Sequence, residues 1–125
     1  MAVRKPIHIT TAELERLRAL VDQNLASRDS EAAERLDDEL DRAIPVQVAR
    51  PDLVTMGARV AFVDESSGVR REVTLVYPRE ADAPAGRVSV LAPIGSALLG
   101  LSVGDEIDWP LPDGRVARLR ILSVA

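Results

Sequence analysis

Residues 92–107 read APIGSALLGLSVGDEI, and the order of proline, leucine and glycine in this stretch decides the fold of the second half of the chain. Pro93 suits the first turn of a helix, where a missing N–H breaks no hydrogen bond. A pair of leucines gives that helix an apolar side, and Gly100 ends it. Gly104 then turns the chain into a strand. The stretch predicts a short helix within a scaffold rather than an active site.

Residues on both sides of this stretch alternate between apolar and polar, which is typical of strands in a half-buried sheet. Strands are predicted over residues 59–64, 70–77, 87–91 and 106–111, with turns at 65–68 and 112–114 and a last strand that points Ala117, Leu119 and Ile121 inward. The few aromatic residues, Phe62, Tyr77 and Trp109, fall in these strands. We expect them in the core or on a sheet face.

The first part of the chain has the periodicity of two amphipathic helices. Thr10 and Glu13 form a capping-box pattern, in which each side chain binds the other's backbone N–H at a helix start. Ser30 is the predicted cap of a second helix, which Pro45 ends. The apolar positions are Leu14, Leu17, Leu20 and Val21 in the first helix, and Ala33, Leu36, Leu40 and Ala43 in the second. Two narrow stripes joined by a short connection predict an antiparallel helical hairpin with arms about 20 Å long.

The combined pattern predicts an α+β protein in three parts. A helical hairpin occupies residues 1–46, a linker with Pro51 occupies 47–53, and an antiparallel sheet domain with one short helix occupies 54–125. Helices as short as these are marginal in water by themselves. We therefore expect the hairpin to pack against the sheet domain and to be stabilised by it.

Composition argues against several functions. The net charge of −4, without a basic cluster, argues against independent binding to nucleic acid. The chain has no cysteine for a disulfide or a thiolate metal site, and its one histidine, His8, has no nucleophile or orienting acid near it in sequence. We therefore predict no catalytic residue, no metal site and no cofactor.

Nothing in the sequence directs the chain to a membrane. The longest weakly charged stretch, residues 88–103, is shorter than the ~20 residues of a membrane helix, and the amino terminus lacks the apolar region of a secretory signal. We expect a cytoplasmic protein without a membrane partner.

Several motifs resemble the carboxyl-terminal domain of the GreA/GreB transcription factors and of their relatives in the Rnk branch. They are residues 54–56 (VTM), 74–78 (TLVYP), 92–107 and 113–114 (DG), and residues 36–43 (LDDELDRA) are similar to the last helix of the Rnk hairpin. The resemblance implies an FKBP-like sheet domain that follows a short coiled-coil hairpin. It also implies a partner, RNA polymerase.

In this family the sheet domain docks at the rim of the polymerase secondary channel, against a coiled coil of the largest subunit. The resemblance implies that Pro93, Ile94, Gly95 and Leu98 make this contact here. Ala92 stands where Gre factors usually have a serine, so no side-chain hydrogen bond carries over to it. The residues alone leave a plainer alternative, in which Pro93 only starts the helix and Leu98 only fills the core.

Gre factors also carry acids at the tip of a long hairpin, where they help to hold a catalytic magnesium ion of the polymerase. The acids near the predicted tip are Asp22, Asp29, Glu31 and Glu34. The predicted hairpin is roughly half as long as a Gre hairpin, so a docked tip falls short of the metal. Acids at a helix start also interact favourably with its dipole. We therefore expect a non-enzymatic regulator that binds polymerase without promoting transcript cleavage.

Two alternatives stay open at this point. In the first, the same four acids support magnesium-dependent cleavage of backtracked RNA. In the second, the chain is an interaction module for another protein, with homodimerisation through the hairpin seam.

The second helix is strongly acidic, with Asp29, Glu31, Glu34, Asp37, Asp38, Glu39 and Asp41 against only Arg35 and Arg42. Pairs at four-residue spacing, Glu31 with Arg35 and Asp38 with Arg42, are expected to stabilise it. This acidic ridge is either a solvated face or a surface that faces basic groups in the polymerase channel.

Overall fold

The computed structural model describes residues 7–110 and 113–125, which form three α-helices and seven strands. The helices are α1 (Thr11–Asn24), α2 (Ser30–Asp41) and α3 (Pro93–Leu98). The strands are β1 (His8–Thr10), β2 (Ile44–Val46), β3 (Arg59–Asp64), β4 (Arg70–Val76), β5 (Arg87–Ser89), β6 (Glu106–Pro110) and β7 (Val116–Val124). Leu111 and Pro112, predicted to end β6 and begin the next turn, lie outside the described residues.

Helices α1 and α2 form the predicted antiparallel pair. Leu17 and Val21 of α1 are buried together with Ala33, Leu36 and Leu40 of α2, so the two apolar stripes do cover each other. With 14 residues, α1 is about 21 Å long. The seam is thus already filled within one chain.

The helix caps differ in detail from the sequence prediction. The Thr10 hydroxyl accepts from the Glu13 N–H at 3.2 Å, as expected, but the Glu13 carboxylate accepts from the Met56 N–H at 3.3 Å instead of closing the capping box. Ser30 is the first residue of α2 rather than its cap. Asp29 takes the cap position without a side-chain cap bond, and the Ser27 hydroxyl and carbonyl accept from the N–H groups of Asp29 and Ser30 in the turn before the helix.

A small parallel sheet that the sequence did not predict closes the open end of the helical pair. Strands β1 and β2 pair in register from His8 with Ile44 to Thr10 with Val46, so that His8 is half-buried in a strand. Parallel neighbours need a long connection, and here the two helices are that connection. Helix α2 ends at Asp41, so Ala43 lies outside it, and Pro45 falls within β2 opposite Ile9 instead of directly ending the helix.

The main sheet has the strand order β5-β4-β3-β7-β6. The pairs β3/β4, β3/β7 and β6/β7 are antiparallel, as expected, whereas β4 and β5 are parallel. Two 3-10 turns, Pro78–Glu80 and Ala83–Ala85, carry the chain back between β4 and β5 in place of a tight hairpin turn. The sheet is therefore mostly antiparallel, as predicted, with one parallel pair at this edge.

One core joins the helices to the sheet. The buried cluster runs from Leu36 and Leu40 of α2 through Leu98 and Leu99 to Leu75 of β4. At the junction the His8 N–H donates to the Gly100 carbonyl at 3.0 Å, and Gly100 has a φ of 81°. The hairpin is therefore fastened to the sheet domain, as its short helices require.

Candidate docking surface

The amino-terminal end of α3 presents the residues singled out by the sequence. Pro93 is exposed and Ile94 is half-buried, whereas Gly95 is buried and Leu98 is 0% exposed. The structure thus brings Pro93 and Ile94 to the surface, with Leu98 inside the core that supports them. Any surface formed here is presented by the first two residues of the helix.

Close packing holds this end of α3 in place. A Cβ added to Gly95 would overlap the Ser89 carbonyl oxygen, so only glycine lets the helix approach β5 this closely. The Ala92 N–H donates to the same carbonyl at 3.0 Å, and the buried Ser96 hydroxyl donates to the Pro93 carbonyl at 3.1 Å. Gly95 and Ser96 therefore position Pro93 and Ile94.

Ile94 opens onto a concave region that we call the sheet groove. The sheet groove has a volume of about 380 Å³ and is lined by Phe62, Asp64, Ser67, Val69, Arg71, Val73, Val88, Ile94, Trp109, Ala117 and Leu119. Its walls are mainly aliphatic and aromatic, and Val69 at its margin is 53% exposed. The sheet groove is therefore a mainly apolar concavity whose margin is open to solvent, whereas Phe62, Ala117 and Leu119 within it are buried.

The sequence indicates which residues share the face of the sheet groove, but not where the groove lies. Alternation along β3, β6 and β7 places Phe62, Trp109 and Leu119 on one face, but which part of that face stays uncovered depends on where α3 packs. Tyr77, the third aromatic, lies outside the lining, and its hydroxyl is buried without a partner among the described residues.

Two charged residues line the sheet groove. The Asp64 carboxylate accepts from the Ser66 N–H at 2.9 Å and from the Ser66 hydroxyl at 2.6 Å, and these hydrogen bonds lower the pKa of Asp64. Arg71 forms no hydrogen bond or ion pair within residues 7–110 and 113–125. The groove thus combines an apolar surface with one carboxylate already engaged and one guanidinium still available.

The predicted acidic residues lie at the far end of the helical pair. Asp22, Asp29, Glu31 and Glu34 are all exposed around the connection between α1 and α2. In the part of the chain that the structure describes, no three His, Cys, Asp or Glu residues are grouped closely enough to hold a metal ion. The four acids are accessible but do not form a preassembled metal site.

Ion pairs on the acidic ridge run between the helices rather than along α2. Arg18 of α1 reaches Asp37 at 3.4 Å and Asp41 at 3.3 Å. Arg42 pairs with the buried Glu39 at 2.6 Å instead of with Asp38, and within the described ranges Glu31 and Arg35 form no ion pair. Part of the ridge is therefore neutralised by the chain itself.

A hydrogen bond from the helical pair reaches the sheet domain through Glu13. Burial raises the pKa of the Glu13 carboxyl above its usual value, and the bond from the Met56 N–H and the nearby Arg16 offset part of that rise. This carboxylate helps to fix how the hairpin sits on the domain that carries the sheet groove.

Comparison with known proteins assigns the two halves of the chain. Residues 49–125 match the model of the carboxyl-terminal domain of the transcription elongation factors GreA and GreB, and residues 5–46 match the amino-terminal region of Rnk. The chain belongs to the GreA/GreB family. The first match contains α3 and every strand that lines the sheet groove, so the candidate docking surface lies within the family domain.

Individual relatives in the family agree with this assignment. The regulator of nucleoside diphosphate kinase from Escherichia coli K12 is 41% identical over 97% of this chain and 90% of its own length. GreA from Rhodospirillum rubrum is 41% identical over 63% of this chain but only 52% of its own length. A solved GreA/GreB elongation factor from Nitrosomonas europaea, 41% identical, superposes with a TM-score of 0.75 over 98% of this chain and 99% of that one. No helix within the described ranges is long and apolar enough to cross a membrane.

Proposed function

We propose that the protein is a transcription regulator that binds RNA polymerase through Pro93, Ile94 and the sheet groove, with an FKBP-like sheet domain docked at the rim of the secondary channel. The observation that carries the proposal is the start of α3, where the exposed Pro93 and the half-buried Ile94 lie at an apolar groove within the family domain. Gly95 and Leu98 are buried in the sheet domain and support Pro93 and Ile94 from within it. The partner surface is the coiled coil of the largest subunit.

The helical pair, a short coiled coil in this proposal, occupies the channel entrance without reaching the catalytic metal. An arm of about 21 Å is too short to carry the tip acids from the rim to a buried active centre. The chain therefore has no catalytic activity of its own and does not promote transcript cleavage. A cytoplasmic location follows from this partner.

Binding to purified core polymerase tests the docking surface. Ile94→Asp places a charge at the mouth of an apolar groove and is expected to weaken binding at least tenfold, because burying an unpaired carboxylate costs more than about 1.4 kcal/mol. Val48→Asp is the control, since Val48 is 80% exposed and lies outside the groove lining. Melting curves of both variants verify folding. Equal affinities for the two variants and the parent would refute the docking surface.

A second candidate function rests on the exposure of all four tip acids. In it, Asp22, Asp29, Glu31 and Glu34 support magnesium-dependent cleavage of backtracked RNA by the polymerase. A cleavage assay on stalled complexes separates the two candidates. Cleavage that the parent stimulates and the double variant Asp29→Ala/Glu31→Ala does not would establish the second candidate, whereas absence of stimulation supports regulation by binding alone.

The remaining alternative, homodimerisation through the hairpin seam, gains no support from the packing. The side chains that would form that seam, including Leu17, Leu36 and Leu40, are already buried within one chain. A dimer formed through them would require the helical pair to open.

A further inference from the structure

Arg71 points into the sheet groove, and its neighbours in the chain do not. In the pairing of β3 with β4, Arg71 lies opposite Phe62, while Arg70 lies opposite Val63. Successive side chains of a strand point to opposite faces. Arg70 and Arg71 are therefore adjacent cations of equal charge and similar exposure on opposite faces of the sheet.

The acids near Arg71 are already engaged elsewhere. Glu72 pairs with Arg59 at 3.5 Å on the opposite face of the sheet, and Asp64 accepts two hydrogen bonds from Ser66 in its own turn. Arg71 has no partner of its own within the described residues. The exposed Arg71 thus lines an apolar groove with its guanidinium donors open to an incoming group.

Docking of a partner would remove water from this guanidinium. A desolvated cation is costly unless an acceptor replaces the lost water, and a carboxylate does so with two parallel N–H···O bonds. The apolar part of the lining, including Trp109 and Leu119, is suited to an aliphatic or aromatic side chain. The groove therefore matches a segment that carries an apolar side chain and an acid close together.

We propose that Arg71 is the specificity-determining residue of the sheet groove and pairs with a carboxylate of the docked protein segment, beside an apolar side chain that fills the groove. The inference rests on the proposed function, since it names the chemistry of the polymerase segment that the docking surface takes. Arg71 then selects among apolar segments by rejecting those without an acid in the right place.

The test compares Arg71→Gln with Arg70→Gln in titrations against core RNA polymerase. Both variants lose one positive charge from β4, so long-range electrostatics change equally. Arg71→Gln is expected to weaken binding about tenfold and to flatten its dependence on salt, because a partly desolvated charge pair is lost. Arg70→Gln is expected to change affinity less than about twofold, as is typical of an exposed charge outside an interface.

Reversing the charge at Arg71 identifies the acid of the polymerase with which it pairs. Arg71→Glu is expected to weaken binding more than Arg71→Gln. When the acids of the polymerase coiled coil are replaced by arginine one at a time, one replacement is expected to restore most of the binding that Arg71→Glu loses. If the Gln variants at 70 and 71 bind alike while Ile94→Asp still disrupts binding, the role of Arg71 is refuted and the docking surface stands. If the parent chain does not bind polymerase, or Ile94→Asp binds like the parent, the proposed function itself fails, and the pairing fails with it.

Discussion

Gly100 joins the helical pair to the sheet domain, and replacing it with alanine gives a direct measure of that joint. The φ of 81° at this position is one that L residues adopt at a cost of about 1–2 kcal/mol. An added Cβ would also lie 2.7 Å from the Ile7 Cβ, so β1 must shift away from the core. Forcing such a shift in a packed core typically costs a further 1–3 kcal/mol or so. We expect a total loss of about 2–5 kcal/mol of unfolding free energy.

Gly104→Ala separates the two contributions. Gly104 has a φ of 91° but no atom within 4 Å of an added Cβ, so this variant carries only the conformational cost. Urea unfolding, followed by the far-UV signal of the helices, gives the free energy of each variant. The difference between the two variants is expected to be about 1–3 kcal/mol, with Gly100→Ala the less stable. Equal losses of unfolding free energy in the two variants would show that the close packing of Ile7 against Gly100 does not stabilise the junction between the helical pair and the sheet domain.

Two further predictions concern the hairpin. Leu36→Ala, at a fully buried position, is expected to lower the unfolding free energy by about 2–5 kcal/mol, whereas Leu25→Ala at a 44% exposed position is expected to cost less than about 1 kcal/mol in the same urea assay. Because the pKa of Glu13 is raised above 4.5 in the folded state, the folded chain binds more protons there, and the contribution of Glu13 to stability is lost as pH rises through its folded pKa. Glu13→Gln should remove that decline, and a stability-versus-pH profile identical to that of the parent would contradict the raised pKa of Glu13.

The agreement between sequence and structure is best where local physics is sufficient. Thr10 starts α1 as its hydroxyl predicts, and Pro93 and Gly100 bracket α3. The apolar stripes of α1 and α2 meet as their spacing requires. The structure departs from the prediction where residues distant in sequence interact. The Glu13 carboxylate accepts a hydrogen bond from the Met56 N–H, and β5 pairs parallel to β4 because the segment between them carries the chain back along the sheet. No local pattern carries that information.

The candidate site, too, could be predicted from the sequence only in part. Pro93 and Ile94 could be selected from the sequence by resemblance, but the burial of Leu98 and the close approach of Gly95 to Ser89 depend on how α3 packs. The sheet groove could not be located in advance, since it is the part of a sheet face left uncovered. Arg71 was inconspicuous among many exposed arginines until the pairing of β4 with β3 placed it in the groove.

The sequence by itself determined the helices, most of the strands, the order of hairpin and sheet, and the family of this protein, because capping, periodicity and turn residues act over a few neighbouring positions. Only the tertiary structure decided what those elements present to a partner. Exposure, an open groove and an unpaired guanidinium are properties of surfaces from distant segments that meet, and they exist only once β3, β4, β6, β7 and α3 have packed together.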